Sequence, residues 1–124
     1  GREACEKRHW NAVAAALAAA RHGEPPATRR WQQTITRLGP LAIVPFAGEI
    51  FSEIALRVKR DSPFEYTLCA GTANGGHGYY VTREARARGG YEPWVAKAYG
   101  AFILADEIDD VLVRENVALL RALE

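Results

Sequence analysis

The sequence contains no methionine and begins with glycine, so the chain is expected to be a piece cut from a longer precursor. Its two cysteines are too few for a disulfide framework. Cys5 lies in an alanine-rich stretch and Cys69 in an apolar one, and both are read as free thiols. No apolar run approaches the ~18–20 residues of a membrane-spanning helix, and Gly1-Arg2-Glu3-Ala4 does not open a signal peptide. Blocks of like charge are missing too. With 16 basic residues against 15 acidic ones, the composition argues against nucleic acid or a polybasic membrane patch as the main partner. What remains is 124 residues, one domain's worth of chain or less.

The stretch from Pro40 to Tyr91 carries the organisation. Leu41-Ala42-Ile43-Val44 is a short apolar run bounded by Gly39-Pro40 and Gly48, which suits a buried strand. From Glu49 the pattern changes to Ile50, Phe51, Ile54, Ala55 and Val58, an apolar stripe at helical spacing. That helix must stop near Asp61-Ser62-Pro63, because proline restricts the residue before it and offers no amide donor. Phe64 to Ala70 then alternates and is rich in strand formers. Strand, helix and strand make a βαβ crossover, with the two strands parallel. The helix climbs roughly 18 Å and the second strand returns roughly 20 Å, so the chain comes back to the edge it left.

The flanks are simpler. Residues 1–23 read as a helix, with Trp10, Val13, Ala14 and Leu17 on a stripe able to cover a sheet, and 24–29 as a stiff proline-bearing linker. Trp31 to Leu38 alternates loosely and predicts a strand pairing antiparallel with the next one through Gly39-Pro40. Thr82 is placed to cap a short helix that Gly89-Gly90 breaks, and Pro93 to sit at the first position of another. A last helix is marked by Asp106, Glu107, Asp109 and Asp110 at its amino end and Arg114 and Arg121 toward the other. The expected fold is α/β: a mixed sheet of about three strands, with an antiparallel hairpin over 30–46 and a βαβ crossover over 41–71, covered by helices. Residues 30–92 hold the motif-bearing core and 93–124 a helical tail.

Chemistry gathers at the carboxyl edge of the two parallel strands, where open α/β sheets hold ligands. Glu49 leaves the first strand there, and Ala73-Asn74-Gly75-Gly76-His77-Gly78-Tyr79-Tyr80 follows the second. At a strand-to-helix corner, Glu49 can be a functional carboxylate or only an acid that stabilises the first helical turn. His77 and Tyr79 would share a side if extended, so Glu49, His77 and Tyr79 form one possible self-contained ligand set for a divalent metal. The glycine pair before Tyr91 can aim its phenol over the same edge, where it could donate to a polarised carbonyl.

In their order and spacing, Leu41 to Glu49, Ala73-Asn74, Tyr79 to Glu84 and Tyr91-Glu92 resemble the carboxyl-terminal part of the neutral, non-lysosomal ceramidase family and its bacterial relatives. The likeness runs from about Trp31 to Trp94. It implies a segment of a larger ceramidase-like catalytic domain holding zinc, whose activated water cleaves the amide of ceramide or a related N-acyl lipid in sphingolipid metabolism. Glu49 and Tyr79 would be zinc ligands and Tyr91 the group that polarises the amide carbonyl. Two further zinc histidines are then expected from an amino-terminal segment or partner chain, since His9 and His22 do not replace them. By the same resemblance the protein would be soluble, and secreted or periplasmic. Two departures stand out: Ala47 replaces a proline of the ceramidases proper, and Ile50 to Arg57 replaces their Thr-Thr-Met segment and paired arginines. They place the chain among ceramidase-like relatives and leave a non-catalytic scaffold as the alternative.

Overall fold

A computed structural model of the chain describes residues 1–24, 31–73, 75, 78–99 and 104–124. Helix α1 (Arg2–Arg21) is followed by β1 (Thr36–Leu38), β2 (Leu41–Pro45), β3 (Glu49–Ile50), α2 (Ser52–Asp61), β4 (Tyr66–Ala70), β5 (Tyr79–Tyr80), α3 (Arg83–Arg88), α4 (Tyr91–Tyr99) and α5 (Ile108–Arg121).

The mixed three-stranded sheet has the order β1-β2-β4, with β1 antiparallel to β2 and β4 parallel to it. Leu41 faces Tyr66 and Pro45 faces Ala70 across the parallel pair, so the crossover returns as its length requires. The hairpin is shorter than the alternation over Trp31 to Leu38 predicts. Only Thr36–Leu38 pairs, while Trp31 and Ile35 turn their apolar groups onto the core instead.

One sheet face is covered. Ala42 and Val44 point into a core with Ile54 and Val58 of α2 and Leu112, Val113, Val117 and Leu120 of α5. The amphipathic stripe of α2 supplies this burial and brings it against α5. Two polar links fix α5 in place. Arg57 reaches Asp109 at 3.4 Å and Asp110 at 2.5 Å, and Arg37 donates to the carbonyl oxygens of Leu123 and Glu124 at the far end. A third link is buried: Asn116 donates to the Leu112 carbonyl, while Gln33 Nε2 donates both to the Asn116 side-chain oxygen and to the carbonyl of Pro45.

Helix α1 does not cover the sheet, contrary to the reading of its stripe. It packs against α4, with the Arg2 guanidinium over the Trp94 ring, and leaves Trp10 and Leu17 exposed. An alanine-rich helix has too few large side chains on one face to make a covering layer for a sheet. Cys69 is a free, half-buried thiol, and burial pushes its pKa up. Among the described residues no helix is long and apolar enough to cross a membrane.

Candidate functional site

Beyond the end of β2 the backbone does not enter the helix at once. Glu49 and Ile50 form the two-residue strand β3, which pairs in parallel with β5, and α2 begins only at Ser52. Glu49 is therefore not a first-turn acid; that position belongs to Glu53. The helical pattern of Ile50, Phe51 and Ile54 reads through the corner because a strand this short carries no period of its own. Its pairing partner, near residue 79, decides its conformation.

The register is direct: Glu49 stands opposite Tyr79 and Ile50 opposite Tyr80. Opposed residues in a ladder project to the same side, with strands about 4.8 Å apart, so the carboxylate and the phenol share one side of this small sheet. Tyr80 projects the other way and is buried in the core beside Trp31, its ring 5.3 Å from the indole. Alternation along two residues thus separates a ring for the core from a phenol for the edge.

Backbone hydrogen bonds hold this corner from two sides. Glu49 N donates to Gly78 O at 2.8 Å and Phe51 N to Tyr80 O at 3.1 Å, on the β5 side. On the β4 side, Thr72 N donates to Gly48 O at 3.0 Å and Ala73 N to Phe46 O at 2.8 Å. Gly48 lies between the two. A Cβ there would come within 2.7 Å of the Tyr80 ring and closer still to the Gly78 carbonyl oxygen. The missing side chain is what allows the backbone before Glu49 to approach the backbone before Tyr79. The Gly48-Glu49 pair is visible in the sequence, but the reason for its glycine is a contact across thirty residues of chain.

Tyr91 opens α4, after Gly89 and Gly90, both at positive φ. Upstream, Thr82 caps α3 as predicted, its hydroxyl accepting from Ala85 N at 3.2 Å. Pro93 is the third residue of α4, within the first turn where no intrahelical donor is lost. The Tyr91 ring meets Tyr79 edge to face, with centroids 6.4 Å apart, and Tyr91 is 66% exposed. Glu49, Tyr79 and Tyr91 are therefore brought to one edge. The Tyr79 phenol is pushed above its usual pKa, chiefly by desolvation and then by the negative charge of Glu49, with Tyr91, Glu92 and a hydrogen bond to Glu49 adding to it. Glu92 is a member of this cluster that the reading of single motifs did not assign, although it adjoins Tyr91.

Two other expectations fare differently. His77, and with it the third member of the set Glu49, His77 and Tyr79, lies outside the described residues. His9 is half-buried on α1, its ring 5.2 Å from that of Trp10. Among the described residues no group of three or more His, Cys, Asp or Glu is arranged to hold a metal ion. What the edge offers is two oxygen donors, a carboxylate and a phenol, with a second phenol alongside.

Neither a family model nor a curated protein sequence matches the chain. Solved structures do. A neutral ceramidase from Pseudomonas aeruginosa and a ceramidase complexed with C2 each match at 23% identity and a TM-score of 0.50, over 73% of this chain. The chain spans 15% of the length of these ceramidases. The fold of this chain is that of a segment of a bacterial neutral ceramidase.

Proposed function

We propose that this chain carries the acid and phenol half of a zinc-dependent, ceramidase-like amide hydrolase acting on an N-acyl lipid. The observation that supports it is the register of Glu49 opposite Tyr79, which sets two oxygen donors side by side at the carboxyl edge of a parallel sheet. That donor set suits a divalent cation and is incomplete for zinc, which takes four ligands and favours nitrogen or sulfur among them. Two histidines from polypeptide outside these residues would complete it. Zinc bound there supplies Lewis-acid polarisation of a carbonyl and activation of water near neutral pH.

The chain's own groups then have separate tasks. Glu49 and Tyr79 would hold the cation. A neighbouring positive charge also favours the ionised phenol, opposing the upward push that Tyr79 feels from Glu49. Tyr91, exposed and edge-on to Tyr79, is free to donate its hydroxyl proton in a hydrogen bond to the amide oxygen as negative charge develops on it.

Metal analysis tests this on the protein as purified from the cells that make it. Stoichiometric zinc that disappears in the Glu49→Ala, Tyr79→Phe double variant is expected, together with hydrolysis of a short-chain N-acyl sphingosine that falls by about 10²–10³ in Tyr91→Phe. Zinc retained by the double variant removes the metal reading. A folded protein without zinc or amidase activity supports the scaffold alternative instead.

A further inference from the structure

The three-stranded sheet has a second face, and nothing described covers it. Alternation along β2 sends Ala42 and Val44 into the core and Leu41 and Ile43 outward. The register aligns Leu38 of β1 and Tyr66 of β4 with Leu41, and Leu68 with Ile43. Leu38, Tyr66 and Leu68 are 58%, 56% and 51% exposed. Thr36 and Ala70 extend the same face, and none of its members is charged. In a chain with 25% charged residues, a solvated sheet face would alternate to polar groups. All-parallel sheets, moreover, are found almost only where both faces are covered, and the β2–β4 pair of this sheet is parallel. This face has the composition of an interior.

We propose that it is the seat of a further layer of polypeptide from the same ceramidase-like body that supplies the two histidines; this rests on the functional reading above. Size argues against a second copy as occupant. Strands of three, five and five residues, about 4.8 Å apart, present roughly 200 Å² in projection. Stable dimers bury about 800 Å² per partner, so even generous side-chain relief leaves the face too small to hold one alone. A layer tethered in the same folded body needs no such area. The solved structures that share this fold are that kind of body, since this chain corresponds to 15% of their length. The occupant is thus an apolar, uncharged polypeptide surface lying across β1, β2 and β4, opposite α2 and α5.

Leu68→Cys in a background of Cys5→Ala and Cys69→Ala reports on the face through its rate of maleimide labelling. In the 124-residue chain alone the expectation is a monomer by sedimentation, labelled within about threefold of the denatured rate. In the protein purified from the cells that make it, labelling should slow by about a hundredfold or more. Fast labelling in both preparations overturns the proposal, as does protection in the isolated monomer. A dimer that protects the thiol assigns the face to a second copy, and protection by phosphatidylcholine vesicles assigns it to lipid; each also overturns it. Zinc content measured on the same preparation separates the two readings. Protection without zinc keeps the docking layer and removes the metal, whereas zinc with a fast-labelling thiol does the reverse.

Discussion

Substituting alanine for Gly48 is the sharpest perturbation of the corner. The new Cβ would sit 2.7 Å from Cε2 and 3.2 Å from Cδ2 of Tyr80, with the Gly78 carbonyl oxygen nearer still. Tyr80 is 1% exposed and wedged against Trp31, so its ring has nowhere to swing. The backbone must open instead. That breaks the bonds from Glu49 N to Gly78 O and from Phe51 N to Tyr80 O, which are what hold β3 on β5. Overpacking of this kind costs about 1–3 kcal/mol and each lost hydrogen bond about 0.5–1.5 kcal/mol. The loss is then about 2–6 kcal/mol, a large part of the ~5–15 kcal/mol that keeps a domain folded. Thermal unfolding followed by circular dichroism should show Tm lowered by roughly 10–20 °C. Gly71→Ala is the control. Its Cβ would meet the Gly48 carbonyl at an ordinary 3.4 Å, and its backbone needs no positive φ, so a change of only a few °C is expected. If both variants melt with the parent, the two-strand pairing that sets Glu49 beside Tyr79 is wrong.

Tyr79 should ionise above the ordinary tyrosine range, and Glu49→Gln should bring it down, as read by absorbance at 295 nm against Tyr79→Phe. Because the folded state holds this proton more tightly than the unfolded one, stability declines as pH rises through the alkaline window above the ordinary tyrosine pKa, and Glu49→Gln should flatten that decline in urea titrations. Arg57→Ala strips the partner from Asp109, which is 6% exposed, and should cost about 3 kcal/mol, whereas Asp110→Asn on the exposed arm should cost far less, and less again in high salt. Arg57 holds the Asp110 carboxyl below its usual range, so the Asp110 contribution is present at neutral pH and fades as pH falls through that depressed value; Asp110→Asn should remove this acid-side slope. Thr82→Ala removes the cap of α3 and should lower stability by about 1 kcal/mol, with Thr82→Ser retaining most of it in the same denaturation assay.

The parts of the fold legible in the sequence are those governed by near neighbours. An apolar run, a helical stripe and the stop at Pro63 suffice to read β2, α2 and β4 as a crossover between parallel strands, and Thr82 announces α3 by its hydroxyl alone. Glu49 and Tyr79 could be assigned to one edge because the crossover length returns the chain there, and Tyr91 because the Gly89-Gly90 pair before it can aim it back. What was not legible depends on partners far along the chain. The strand character of Glu49–Ile50 exists only through β5, and the need for glycine at 48 only through Gly78 and Tyr80. Likewise the stripe of Trp10 and Leu17 names an apolar surface without naming what it meets; α1 packs on α4 rather than on the sheet, and both residues stay exposed.

The amide of Gln33 grips Pro45 and Asn116 at once, which makes the carboxyl-terminal helix and the last residue of β2 a single mechanical unit. Four residues after Pro45 comes Glu49. A truncation that removed the chain from Asn116 onward would therefore do more than bare a patch of core: it would cut a mooring line of the strand end from which the acid is hung, and the damage would register at an edge the deleted turns never touch.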